Sequence, residues 1–404
     1  MTDAQVIPAP TLGRAFLTFW SGVALTAIAD GLAFVALPFI VLGARLDMPG
    51  ETALGLVVLA GSLPRFFAPF MGALVDRWPL KAALAATGVL RALVVLGIAA
   101  LAAGGRLSLA LVMTANALNG LLSIFAYTAA SVTVPTLVPR ASLARANGLM
   151  TAATMGLPLV GYGLAGALVA SRGPAFTVAL AATGGLSLCA AVLLTSFPAR
   201  DTATSTGIVR DLLEGLRLLA ADGQLLVLGV LSLLLNATLA TVNVLAPTIM
   251  VRLGRGAAGY GLFESLISGA ALAGITLVAV LGPRLNGRLG ITLGNLTLLA
   301  GIALITPATY PAMLGSAVLS GLGLGVLEVT SITLLQQIVP DNLRGRLLGA
   351  SMGFGALGLT LGSSLAATLA PRAPLAAFTI GLTLITLAPT IVWAVKYRRE
   401  PVTA

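Results

Sequence analysis

Residues 137–148, LVPRASLARANG, and residues 338–349, IVPDNLRGRLLG, repeat one pattern half a chain apart. Pro139 and Pro340 occupy the same point in it, 201 positions apart, each after a long apolar run. In a chain of 404 residues this spacing predicts two halves built to one plan. A second echo pairs Gly72 and Asp76 with Gly282 and Asn286, so the later copy lacks the acid.

The repeat is set in unusual material. The chain is 58% hydrophobic and 9% charged, has no histidine, and has a mean hydropathy of +1.04. One soluble core cannot bury that much apolar surface, so the composition predicts a polytopic membrane protein. Polar punctuation divides the chain into spans 15–43, 52–75, 82–104, 107–137, 145–171 and 174–197. After a polar linker come 223–252, 258–283, 289–307, 311–339, 346–370 and 373–396. Each is of the length that crosses a hydrocarbon layer of about 30 Å at about 1.5 Å per residue. The first run exceeds a signal-peptide core of about 7 to 15 residues and reads as a retained span. The expected architecture is an all-α integral membrane protein with twelve transmembrane helices in two six-helix bundles. Residues 1–197 form one bundle and 223–404 the other.

The linker, 198–222, turns amphipathic. Ile208, Leu212, Leu216 and Leu219 recur near helical spacing, with Arg210, Asp211, Glu214 and Arg217 between them. A short helix at the membrane surface is expected. Most of the 23 Lys and Arg fall in loops on the side of the N-terminus. Only Arg45, Arg106, Arg172, Arg252, Arg255 and Arg372 fall on the other. Both termini are therefore expected in the cytoplasm, with the chain in the inner membrane. The net charge of +10 is dispersed between apolar runs and does not predict nucleic-acid binding.

Several chemistries find no residues to carry them. A lone Cys189 and no histidine offer no cysteine or imidazole cluster for a metal. GLGLG at 321–325 lies inside an apolar helix and reads as helix packing, not as a dinucleotide loop. There is no phosphate-binding loop and no catalytic constellation, so neither a cofactor nor an enzyme is expected. The expected partners are a small-molecule substrate, protons and the bilayer.

Charge at mid-membrane depth needs a partner or a task, since it costs about 2.5–3.5 kcal/mol even on the lenient insertion scale. Asp30, Arg65, Arg91 and Glu328 fall near the midplane, and Glu264 nearer the far side. Without histidine, Asp30 and Glu328 are the candidate proton carriers, with Arg91 and Arg65 as counter-charges; structural pairing is the alternative. Desolvation and a nearby cation pull a carboxyl in opposite directions, so alternate pairing would let an acid take up and lose a proton. Asn116, Asn119, Tyr127, Asn236, Asn243, Glu264, Trp20 and Phe34 are candidates for a substrate cavity, each equally suited to bonding between helices.

GALVDRWPLK at 72–81, between spans two and three, resembles the Gly-x-x-x-Asp-Arg-x-Gly-Arg-Lys signature of the major facilitator superfamily. Gly72, Asp76, Arg77 and Lys81 match, while Pro79 and Leu80 stand where the signature has Gly-Arg. DGLAFVALP at 30–38, GVLRALVVL at 88–96 and the segment at 338–349 resemble its drug and siderophore exporter branch, macrolide-efflux-like and enterobactin-exporter-like. GYGLAG at 161–166 resembles the antiporter motif Gly-Pro-x-x-x-Gly through Gly161 and Gly166, with Tyr162 in place of proline. NALNG at 116–120 departs from the Arg-x-x-Gln-Gly of proton-coupled exporters. The resemblance implies alternating access, a cytoplasmic gate at Gly72, Asp76, Arg77 and Lys81, and proton-coupled export of lipophilic or amphiphilic molecules. A dedicated siderophore or natural-product exporter, and a lipid flippase, sensor or scaffold, are the alternatives.

Overall fold

In the computed structural model the described residues are 12–44, 46–197, 217, 219–282, 285, 287–339 and 341–397. Among them the secondary structure is helical, with no strand. The first half comprises α1 (Arg14–Gly43), α2 (Gly50–Ser62), α3 (Ala68–Arg77), α4 (Leu80–Ala103), α5 (Leu109–Leu137), α6 (Leu143–Thr151), α7 (Pro158–Arg172) and α8 (Pro174–Leu194). The second comprises α9 (Gly223–Arg252), α10 (Gly256–Leu281), α11 (Gly287–Ala303), α12 (Tyr310–Ile338), α13 (Asp341–Leu369) and α14 (Leu375–Lys396).

Among the described residues ten helical stretches are long and apolar enough to cross a membrane. The other two expected spans are present in altered form. The ninth is α11, an apolar helix of 17 residues. The second, expected as one run over 52–75, is broken: α2 stops at Ser62, a 3₁₀ turn covers Leu63–Phe67, and α3 resumes at Ala68. Pro64 and Pro69 explain the break, because each lacks an N–H and clashes with the preceding turn. A π-helical turn, Ala152–Gly156, similarly joins α6 to α7 within the fifth span. The linker helix expected over 198–222 falls largely outside the described residues, as do Asn286 and Pro340.

Packing follows the sequence repeat. In the first half α1 packs on α8 and α7, α4 on α8, and α2 on α5; in the second α9 packs on α14 and α13, α11 on α14, and α10 on α12. Each pair is thus matched by its counterpart six spans later. Small residues set the approach, since lipid offers helices no hydrophobic drive to associate. In the expected packing run, Gly321 lies against the Ile267 carbonyl and Gly325 against that of Ala271. Hydroxyls return their bonds to backbone, as where Thr26 Oγ1 donates to the carbonyls of Gly22 (2.8 Å) and Gly184 (2.9 Å), tying α1 to α8.

The halves meet along two seams, α7 against α10 and α2 against α13, which are spans five with eight and two with eleven. Exchanging the halves exchanges the seams.

Candidate functional site

Between the halves lies a cavity of about 1200 Å³. Its wall runs from Leu37 and Leu54, toward the side opposite the N-terminus, to Ser131, Leu219 and Ser351 on the N-terminal side. Far-side ends of the two seams close it. Thr52 Oγ1 donates to the Ala367 carbonyl at 2.9 Å, and Ser62 and Thr360 hydroxyls lie 3.4 Å apart. Arg252 donates to Glu51 in an ion pair across the halves. On the other seam Ser265 Oγ donates to the Leu159 carbonyl at 3.2 Å.

At mid-depth three helices converge on one guanidinium. Arg91 on α4 places Nη2 2.5 Å from Asp30 Oδ1 on α1 and donates from Nε to Asn119 Oδ1 on α5 at 3.1 Å. Arg91 is 7% exposed, whereas the Asp30 side chain is 50% exposed and lines the cavity. One planar group thus satisfies two acceptors, using the fork geometry that a lysine lacks. The arrangement holds an acid at the edge of the cavity with one side paired and the other open.

Of the expected cavity residues, Asn116, Asn119, Tyr127, Asn236, Asn243 and Phe34 line the wall. Asn116 Nδ2 also donates to the Val57 carbonyl at 2.8 Å, holding α5 to α2, and Asn236 Nδ2 bonds within its helix to Ser232. Two do not line it, which corrects the sequence expectation. Trp20 turns its indole away, donating to the Leu149 carbonyl at 2.9 Å. Glu264 is buried with α10 against α7, its Oε1 without a hydrogen-bond partner. Both were expected from residue type and span, which do not fix the helix face. Arg65 and Glu328 line the cavity, but neither makes an ion pair with Asp30, Arg91 or the other. Of the four midplane charges, Asp30 and Arg91 form a pair, while Arg65 and Glu328 stand apart.

Asn295 and Tyr260 also line the cavity and were not anticipated. Asn295 is a polar side chain deep within an apolar run, the same signal that marked Asn236.

A model of the Major Facilitator Superfamily matches residues 19–292. The chain belongs to that superfamily. It is a membrane transporter and not an enzyme. It is similar to the "Multidrug efflux pump Tap" of Mycobacterium tuberculosis and of Mycobacterium bovis, 28% identical over 390 residues that cover 92% of this chain and 90% of the relative. It is also 28% identical to the "Uncharacterized MFS-type transporter y4rN" of Sinorhizobium fredii, over 58% of each chain. Among solved structures, the nucleoside transporter NupG superposes with a TM-score of 0.77 at 12% identity, over 96% of this chain and 100% of that one. A POT family transporter in complex with 5-aminolevulinic acid gives 0.77 at 14% identity, over 98% and 99%. At such identities these structures speak for the fold.

The superfamily signature sits at the end of α3 and the start of α4. Arg77 is exposed, and Lys81 Nζ donates to the Thr195 carbonyl at 3.0 Å, capping the C-terminal end of α8. The side chain of Asp76 lies outside those described, and Gly72 is placed by its backbone alone. The antiporter-like glycines fall at helix crossings. A Cβ on Gly161 would lie 2.9 Å from Gly31 Cα of α1, and one on Gly166 2.9 Å from the Ala257 carbonyl of α10. Gly161 thus packs within its own half, and Gly166 lies on the seam between the halves.

Proposed function

We propose that this transporter is a secondary exporter that exchanges protons for lipophilic or amphiphilic small molecules by alternating access. The observation that carries the reading is the Asp30–Arg91–Asn119 group, an acid with a partly open face at mid-depth in a cavity closed on the far side. The mainly apolar wall, with few polar groups, suits amphiphilic ligands. Similarity to a multidrug efflux pump along almost the whole chain supports export of drug-like molecules.

In this reading the two seams part when the far side opens, and Asp30 takes a proton there, loosening its hold on Arg91. Return to the present conformation brings Asp30 to the N-terminal side, where its pair with Arg91 re-forms and the proton leaves. Substrate enters the same cavity from that side. Glu328 is a second candidate carrier, and the gate residues Gly72, Asp76, Arg77 and Lys81 would close the N-terminal side in the other half of the cycle. The functional unit is a monomer in the inner membrane, with both termini cytoplasmic. Its bundles are residues 1–197 and 223–404, joined by the linker 198–222.

The test is drug or dye flux in proteoliposomes under an imposed pH gradient, with the native chain beside Asp30→Asn. Gradient-driven flux that disappears in Asp30→Asn is the expected result. Flux indifferent to both gradient and substitution would overturn proton coupling and favour lipid movement or facilitated transfer. Ligand-dependent stabilisation without any flux would favour a sensor.

A further inference from the structure

Two charges in the cavity remain without partners. Arg65, on the 3₁₀ turn of the broken second span, and Glu328, on α12 of the other half, both line the wall. Neither has a hydrogen-bond or ion-pair partner among the described residues. The other charges do not compensate them, because Arg91 occupies Asp30 and Glu264 lies outside the lining.

We propose that Arg65 and Glu328 are the two poles of a binding site for zwitterionic amphiphiles. An anionic group of the ligand meets Arg65, a cationic group meets Glu328, and an apolar body lies between them against Phe34, Val58, Leu231 and Leu335. This rests on the transport reading and narrows its substrate class.

The physical reason is balance. Acids counted along the sequence favour a cationic or a zwitterionic substrate, and in the fold the cavity charges without partners among the described residues are one acid and one base. A ligand with only a positive charge displaces water from Arg65 without replacing its bonds, and one with only a negative charge does so at Glu328. A zwitterion neutralises both at once, and a guanidinium suits a carboxylate or phosphate in particular because it donates two parallel bonds. The poles also stand on different halves, so such a ligand bridges the parts that must move. Arg65 owes its position to the break in span two, where Pro64 lies in the first positions of the 3₁₀ turn.

The test uses binding to the purified full-length protein in detergent, which does not depend on transport. A series of ω-amino carboxylates of increasing chain length is titrated by calorimetry beside the alkylamine and alkyl carboxylate of matched length. At the best length the zwitterion is expected to bind about tenfold more tightly than either singly charged analogue. Arg65→Gln should erase the preference over the alkylamine, and Glu328→Gln the preference over the alkyl carboxylate. The paired exchange Arg65→Glu with Glu328→Arg should restore zwitterion binding, which a merely misfolded chain cannot do. Equal binding of alkylamine and zwitterion at every length, or a preference untouched by both single variants, overturns the proposal. A zwitterion that binds as expected but shows no flux in proteoliposomes would leave this site standing and count against export instead.

Discussion

Arg91 Nη2 lies 2.5 Å from Asp30 Oδ1, and the two residues differ sharply in exposure: the base is buried and the acid half open to the cavity. The base therefore has more to lose when the pair is broken. Asp30→Asn leaves a buried guanidinium with Asn119 as its neutral partner, and is expected to lower unfolding stability by about 2 kcal/mol. That is less than the roughly 3–5 kcal/mol for a wholly buried pair, because one member is hydrated. Thermal unfolding in detergent checks this, and no change would mean that the pair is not formed in the resting protein.

Arg91→Lys tests the fork itself. A lysine keeps the charge but cannot present two nitrogens in one plane to Asp30 and Asn119. Gradient-driven flux is expected to fall by about tenfold or more with the chain still folded, and its pH profile to move. An unchanged profile would show that charge alone suffices at this position.

Gly55 should hold the far side shut by its lack of a side chain. A Cβ there would stand 2.7 Å from Ala367 Cα, on the seam between α2 and α13. Gly55→Val is expected to cost the closed form about 1–3 kcal/mol, enough to raise the population open on the far side by about fivefold to a hundredfold. The chain's single Cys189 makes the measurement simple. In a Cys189→Ser background, a cysteine replacing the wholly buried Val244 beside this seam should become reactive to far-side reagents only when Gly55 is changed.

Glu264 is a buried carboxyl with one oxygen unpartnered. Its carboxyl shares a hydrogen bond with the buried Tyr260, so Glu264→Met leaves that hydroxyl unpaired and is expected to lower stability by about 1–3 kcal/mol. Glu264→Lys should lower it by about 3 kcal/mol or more, since the longer side chain brings an unpaired ammonium into the seam. A methionine variant as stable as the native chain, or more so, would show that the bond to Tyr260 contributes nothing net.

Much of the candidate site could be read along the chain, because a charge or amide inside an apolar run signals its own exception. Asp30, Arg91 and Asn119 were visible in this way, and the structure brings them to one point. Trp20 and Glu264 carried the same signal and turn elsewhere, because a residue's type marks a helix as polar without saying which neighbour that face meets. In the membrane both lipid and protein interior are apolar, so the hydrophobic stripe that reveals the buried face of a soluble helix is missing.

The sequence by itself determined the membrane setting, the number of spans and the doubling of the design, since these follow from run length, hydropathy and the recurrence at 137–148 and 338–349. Tertiary structure alone decided which charges pair, which helices form the seams and which side of the cavity is closed. These depend on contacts between residues such as Glu51 and Arg252 or Thr52 and Ala367, hundreds of positions apart. Local chain chemistry cannot encode such pairings one residue at a time; they arise only when two packed halves settle against each other.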